Sequence, residues 1–159
     1  MKRVLAIVVI MLSTILLTGC NKKVIDASKF DSYMKSKGFE TVDIIENLGF
    51  EVTGVTSSIY ATKGSDEYVV NFLVFETKEY AQQFYDKAYS DYQSDIEERY
   101  DEKEDNVVTT NVSSGNFKKF TLSTHYGMSL ISMIDNTVIQ AETTGNKKAL
   151  AAYVDELGY

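Results

Sequence analysis

The side chains that could carry chemistry are few in this 159-residue chain, and two reactive types occur only once each. Cys20 is the only cysteine and His125 is the only histidine. A zinc site, or any other site built from imidazole and thiolate, needs several such ligands, so we expect no metal of this kind. A single thiol also cannot form a disulfide within the chain. The position of the cysteine is therefore the first feature that needs an explanation.

Cys20 directly follows an apolar segment near the N-terminus. Residues 2–3 (KR) give a basic start, and residues 4–17 (VLAIVVIMLSTILL) are apolar except for one serine and one threonine. This is the layout of a secretory signal. A membrane-spanning helix is the competing interpretation, but it needs about 20 apolar residues, and the polar residues 21–23 (NKK) end the segment too early.

The residues before the cysteine are more specific than an ordinary cleavage site. Leu17, Thr18, Gly19 and Cys20 resemble the lipobox of bacterial lipoproteins, in which a branched apolar residue and two small residues precede the cysteine. The resemblance implies that the Cys20 thiol receives a diacylglyceryl group and that the signal peptide, residues 1–19, is removed. An incidental or buried cysteine after a plain signal is the alternative.

Lipid attachment predicts where the protein is located. One acyl chain gives only marginal membrane binding, whereas two chains of the palmitate kind anchor a protein stably. We therefore expect a lipoprotein of the cell envelope, held by Cys20 on the extracytoplasmic side of the cell membrane. A short lipidated tether, residues 20–25, would join the lipid to a single domain, residues 26–159.

The mature chain is strongly acidic. Removal of residues 1–19 takes away two basic and no acidic residues, so the net charge falls from −7 to −9. A chain without a basic surface is not expected to bind nucleic acid or to adhere to anionic lipid by charge alone. The remaining 140 residues suffice for one domain with a sizeable core.

Apolar periodicity predicts three helices and five strands in the order α-β-β-α-β-β-β-α. The predicted helices cover residues 26–37, a long segment from Thr77 that frays near residues 100–103, and a C-terminal segment capped by Asn146. The predicted strands are residues 55–62, 67–75, 117–124, 127–134 and 137–143. We expect an α+β fold with helices packed on an about five-stranded, mainly antiparallel sheet. Whether one sheet face stays exposed is left open.

Tyrosines on the long predicted helix are candidates for a binding surface. Tyr85, Tyr89 and Tyr92 lie within two turns, and exposed tyrosines make good contacts to a sugar or a peptide. Core packing with the hydroxyls at the rim is the alternative, since the residues follow helical spacing. Tyr89, furthest from the apolar stripe, is expected to be the most exposed.

Other polar groups do not form a recognisable catalytic or metal-binding motif. His125 is expected in a turn between two strands, and no serine stands in a nucleophile motif. The acidic segment from Asp95 to Asp105 lacks the spacing of a calcium loop and is interpreted as a solvated helix end, with weak cation binding as the alternative. We expect no catalytic residue, no metal and no cofactor.

The C-terminal third carries a second, looser resemblance. The hairpin at Asp135-Asn136-Thr137 and the final Leu157-Gly158-Tyr159 resemble small uncharacterised surface lipoproteins of Gram-positive bacteria. This resemblance implies no activity. The sequence favours a non-catalytic module that binds a protein or an envelope component. The alternatives are a small solute-capturing lipoprotein that serves a transporter, and a cell-wall hydrolase that uses two carboxylates about 5–10 Å apart.

Overall fold

The computed structural model describes residues 21–47, 52–65, 67–99 and 106–159, which form three helices and seven strands. The predicted signal peptide lies outside the described residues. The helices are α1 (Ala27–Ser36), α2 (Lys78–Arg99) and α3 (Lys147–Glu156). The strands are β1 (Glu40–Asp43), β2 (Val55–Lys63), β3 (Tyr68–Phe75), β4 (Val108–Ser114), β5 (Phe117–Ser123), β6 (Met128–Ile134) and β7 (Thr137–Thr143).

All seven strands belong to one sheet in the order β1-β2-β3-β7-β6-β5-β4, and every neighbouring pair is antiparallel. The α+β class and the antiparallel sheet are confirmed. The prediction of about five strands is wrong, because β1 and β4 add one strand at each edge. Both edge strands are largely exposed, so neither carries the apolar alternation by which a half-buried strand is recognised.

Helices cover both faces of the sheet. One core packs α1 and α3 against one face, around Phe30, Phe72 and Leu150. The other core packs α2 against the opposite face, around Tyr85 and Phe120. The central strands are therefore buried on both sides, and neither sheet face is left open as a whole. Surface that could receive a partner lies at the edges and ends of the sheet.

The first and last helices end in the same way. Gly38 and Gly158 follow α1 and α3 with φ angles of +82° and +95°, a region that glycine enters at little cost. The next residue then donates its amide back to the last turn, from Phe39 to the Met34 carbonyl at 3.1 Å and from Tyr159 to a carbonyl of α3 at 3.2 Å. Both aromatic rings are buried, as a glycine stop followed by an apolar residue predicts.

Candidate functional site

The predicted attachment residue Cys20 and the lipobox residues Leu17, Thr18 and Gly19 lie outside the described residues. Lipid attachment therefore stays a prediction from the sequence. Asn21 is the first residue that the structure describes, and the chain contacts the folded domain from the next residue onward. The geometry of residues 22–25 thus fixes how close the domain lies to the predicted anchor.

Lys22 is paired through its backbone with a side chain 94 positions later in the chain. The Lys22 amide donates to Oδ1 of Asn116 at 2.8 Å, and Nδ2 of Asn116 donates to the Lys22 carbonyl at 2.9 Å. One amide side chain thereby satisfies both backbone polar groups of one residue, as a neighbouring strand would. This pairing holds the beginning of the described chain against the turn between β4 and β5.

The same asparagine joins two neighbouring hairpin turns. Nδ2 of Asn116 also donates to a carboxylate oxygen of Asp135 at 2.7 Å, and the Asp135 amide donates to the Asn116 carbonyl at 3.1 Å. Asp135 has a φ of +50°, which confirms the predicted turn between β6 and β7. Asn136 follows and donates from its side chain to the Phe75 carbonyl at 2.7 Å. We call this end of the sheet, with residues 115–116 and 135–136, the turn end.

Side chains of the first described residues pack on the domain as well. Ile25 is buried in the core that contains α1 and α3, and Val24 packs beside it. The Lys22 ammonium lies 3.5 Å from the centre of the Phe117 ring. Burial, and secondarily the positive charge of Lys119, lower the pKa of Lys22. Residues 22–25, expected as a short tether, are thus docked against the domain.

The tyrosines proposed as a binding surface lie together on α2 and face the sheet. Tyr85 and Tyr92 are buried, and Tyr89 is half-buried, so it is the most accessible of the three. Phe120 of β5 contacts two of them, edge-on to the Tyr89 ring at 5.0 Å and stacked with the Tyr92 ring at 6.1 Å between ring centres. The packing assigns the Tyr85 and Tyr92 rings to the core, and Tyr89 alone presents a partly accessible ring.

The hydroxyls of the two buried tyrosines are in different surroundings. The Tyr92 hydroxyl accepts a hydrogen bond from Nε2 of Gln140 at 3.1 Å. The Tyr85 hydroxyl is buried and has no hydrogen-bond partner among the described residues. Burial raises the pKa of Tyr85 to about 12 and also raises the pKa of Tyr92. A buried hydroxyl without a partner costs free energy, so the Tyr85 hydroxyl lowers the stability of this core.

His125 lies in the predicted place, in the loop between β5 and β6 at the end of the sheet opposite the turn end. We call this the loop end. The His125 ring contacts the ring of its neighbour Tyr126, which is 63% exposed. A cleft of about 210 Å³ opens beside this loop, and Glu142 is the one carboxylate residue that lines it. A glycosidase site needs two opposed carboxylates, which this cleft does not supply.

No cluster of three or more His, Cys, Asp or Glu residues that could hold a metal ion occurs within the described ranges. The acidic segment from Asp95 to Asp105 is described only as far as Arg99, whose Nε lies 3.1 Å from a carboxylate oxygen of Asp95. At the loop end, Asn146 caps α3 by accepting the Ala149 amide at 3.1 Å. The Lys147 ammonium donates to the Thr124 carbonyl, which ties α3 to the loop that carries His125.

The two edges of the sheet differ in how they are protected. β1 has four residues, and an acidic residue stands at each of its ends. β4 has seven residues (VTTNVSS), and every one of them is exposed. It contains no charged residue and no proline, and its register with β5 runs without a shift. Among the described residues, no strand pairs with the outer side of β4, and we call this side the β4 edge. The sequence did not predict β4 because the strand has no buried side.

Removal of the Asn116 side chain tests the pairing with Lys22. We expect Asn116→Ala to lower the free energy of unfolding by about 1–3 kcal/mol, because it leaves the Lys22 backbone and the Asp135 carboxylate with fewer partners. The exchange of the Lys22 amide hydrogen should become faster. Asn111→Ala, at an exposed asparagine of the same hairpin, is the control and should change stability by less than about 0.5 kcal/mol. Equal effects of the two variants, measured by denaturant unfolding and hydrogen exchange, would contradict the pairing.

The two buried tyrosines predict opposite effects of the same substitution. Tyr85→Phe removes an unpartnered hydroxyl, so we expect unchanged or higher stability, by up to about 1 kcal/mol. Tyr92→Phe breaks the bond from Gln140 and should cost about 1 kcal/mol. Because burial raises the pKa of Tyr85 to about 12, the unfolded state loses this proton first, and the free energy of unfolding falls as the pH rises from about 10 towards 12. Tyr85→Phe should reduce that loss; a larger loss of stability in Tyr85→Phe than in Tyr92→Phe would show that the core is described wrongly.

No family model matches the chain, and no curated protein sequence matches it. Among solved structures, the extracellular domain of PknH from Mycobacterium tuberculosis is similar, with 11% sequence identity and a TM-score of 0.41, over 84% of this chain and 90% of that domain. Among the residues that the structure describes, no helix combines the length and the apolarity that crossing a bilayer requires.

Proposed function

We propose that this chain is a lipid-anchored extracytoplasmic module that binds an extended segment of another protein along the β4 edge and carries out no catalysis itself. The anchor is argued from the sequence around Cys20. The shape and composition of β4 support the binding surface, and the unprotected edge of this strand is the observation that carries the proposed function.

The residues from the N-terminus to Cys20 support the lipid anchor. A basic start, an apolar segment and the residues Leu17, Thr18, Gly19 and Cys20 occur in the order that a lipoprotein signal requires. The mature chain has no other thiol that could be modified. A diacylglyceryl group on the sulfur carries two acyl chains, and two acyl chains hold a protein at a membrane without a spanning helix.

Binding at β4 is supported by the free-energy cost of an open sheet edge. Such an edge presents a row of unpaired amides and carbonyls, and soluble proteins usually blunt it with charge, proline, a bulge or a very short strand. β1 follows this rule with two acidic residues in four. β4 has none of these features along seven residues, and Val108 and Val112 lie exposed on one of its faces. An extended peptide that adds as an eighth strand would satisfy these groups and cover the valines.

The two alternative functions receive less support from the geometry. Solute capture by two closing lobes requires two lobes, whereas the described residues form one sheet with helices on both faces. The larger surface grooves, of about 380 and 410 Å³, lie beside residues 22–27, next to the proposed anchor. A cell-wall hydrolase would need a pair of carboxylates across a cleft, and the cleft at the loop end offers Glu142 alone.

Mass spectrometry of the protein isolated from membranes tests the anchor. The N-terminal peptide should begin at Cys20 and carry the added mass of a diacylglyceryl group. Metabolic labelling with an alkyne fatty acid should label the parent chain, and Cys20→Ala should abolish the label because no other thiol exists. Cys20 recovered as a free thiol, or with residues 1–19 still attached, would refute the lipid anchor.

Site-directed photocrosslinking on intact cells tests the β4 edge. A photoreactive amino acid at Val112, which is 49% exposed, should form an adduct with a partner protein. The same amino acid at Val42 on β1, which is 56% exposed, is the matched control and should not form it. Val108→Lys should lower the yield from position 112 by at least about fivefold, because it places a charge against the added strand. Equal adducts from both edges, or a yield that Val108→Lys leaves unchanged, would contradict this function.

A further inference from the structure

The predicted anchor lies within a short reach of the turn end. Cys20 precedes Lys22 by two residues, and two residues of fully extended chain span at most about 7 Å. The Lys22 backbone is itself fixed by two hydrogen bonds to Asn116. Whatever path the chain takes between them, a lipid on Cys20 must leave the protein beside the turn end. While this pairing is intact, the domain cannot move far from a membrane that holds the lipid.

The loop end is much farther from the anchor. β5 and β6 each have seven residues and run from one end of the sheet to the other. At the rise of a strand, seven residues span about 20 Å. The loop that carries His125 and Tyr126 thus lies about one strand length farther from Lys22 than the 115–116 turn does. An anchor of about 7 Å cannot bridge this difference.

The turn end carries exposed lysines together with the exposed carboxylates of Glu76 and Glu79, and the lysines are the groups that can contact anionic headgroups. Lys23 is exposed one residue after Lys22. Lys78 begins α2 at the same end of the sheet, with half of its side chain exposed and its ammonium 3.8 Å from a carboxylate oxygen of Asp135. Ammonium groups within reach of the headgroups contribute favourably at an anionic leaflet, each by a modest amount. They add to the acyl chains and do not replace them, since the mature chain as a whole is acidic.

We infer that the turn end is a lipid-contact surface, so that the domain stands on the membrane with its strands leading away from the bilayer and its loop end outward. This inference rests on lipid attachment at Cys20, which belongs to the proposed function. It adds a surface, residues 115–116 and 135–136 with Lys23 and Lys78, and a fixed orientation.

Fluorescence quenching on the lipidated full chain in membranes tests the orientation. Because the native thiol is consumed by the lipid, one added cysteine can be labelled specifically with bimane. Ser114→Cys places the label at the turn end, and Tyr126→Cys places it at the loop end; both residues are exposed. With nitroxide-labelled headgroups in the bilayer, quenching at position 114 should exceed quenching at position 126 by at least about threefold. Equal quenching, or stronger quenching at position 126, would overturn the inference.

A second pair of variants tests whether the Lys22 pairing sets the orientation. Asn116→Ala frees the Lys22 backbone and should reduce the contrast between positions 114 and 126 to less than half of its original value. Asn111→Ala, on the same hairpin, should keep the full contrast. A contrast that survives Asn116→Ala unchanged would show that the pairing does not hold the domain upright.

The mass of the N-terminal peptide from the same membranes distinguishes a failure of the proposed anchor from a failure of the proposed orientation. If Cys20 carries no lipid, the proposed anchor is wrong and the orientation falls with it. If Cys20 is lipidated and the two labels are quenched equally, the anchor stands and the turn end is not the lipid-contact surface.

Discussion

Burial of the central strands on both faces is the constraint from which the rest of the architecture follows. In β6, six of the seven residues are buried. Its neighbour β7, and β3 on the far side of β7, contribute side chains to both cores. A strand of this kind is stable only when apolar side chains cover the sheet on each side. Two helices on one face and one long helix on the other meet this need. Because helices cover both faces, the surface that could receive a partner lies at the edges and ends of the sheet.

At the turn end, side-chain hydrogen bonds do what strand pairing does elsewhere. Asn116, Asp135 and Asn136 tie two hairpin turns to each other, to the Lys22 backbone and to the end of β3. The folded domain thus begins at Lys22, two residues after the predicted attachment residue Cys20. A long Gly- or Pro-rich linker would decouple the domain from the membrane. A lipid on Cys20 would instead be attached next to residues that the fold holds in place.

The sequence predicts those parts of the fold that rest on local patterns. Residue spacing and backbone preference predict the glycines that end two helices before Phe39 and Tyr159, the turn at Asp135, and the apolar strands. The structure confirms each of these features. β1 and β4 were not predicted because an exposed strand has no apolar alternation. Their conformation depends on pairing with β2 and β5, respectively. The Lys22–Asn116 pairing joins residues 94 positions apart, and no periodicity signals such a contact. A Gly-Asn turn is visible at residues 115–116, but its partner is not.

The proposed anchor and the proposed binding edge would together limit how a partner can approach. β4 runs from the loop end to the turn end, so an upright domain presents this edge along the direction away from the bilayer. A partner segment would then lie roughly perpendicular to the membrane, over about 20 Å of strand. Two modules side by side would each carry a net charge of −9, which opposes close pairing of identical copies more than pairing with a neutral or basic segment. Geometry and charge together therefore favour a partner that approaches from outside the membrane with an extended, non-acidic strand.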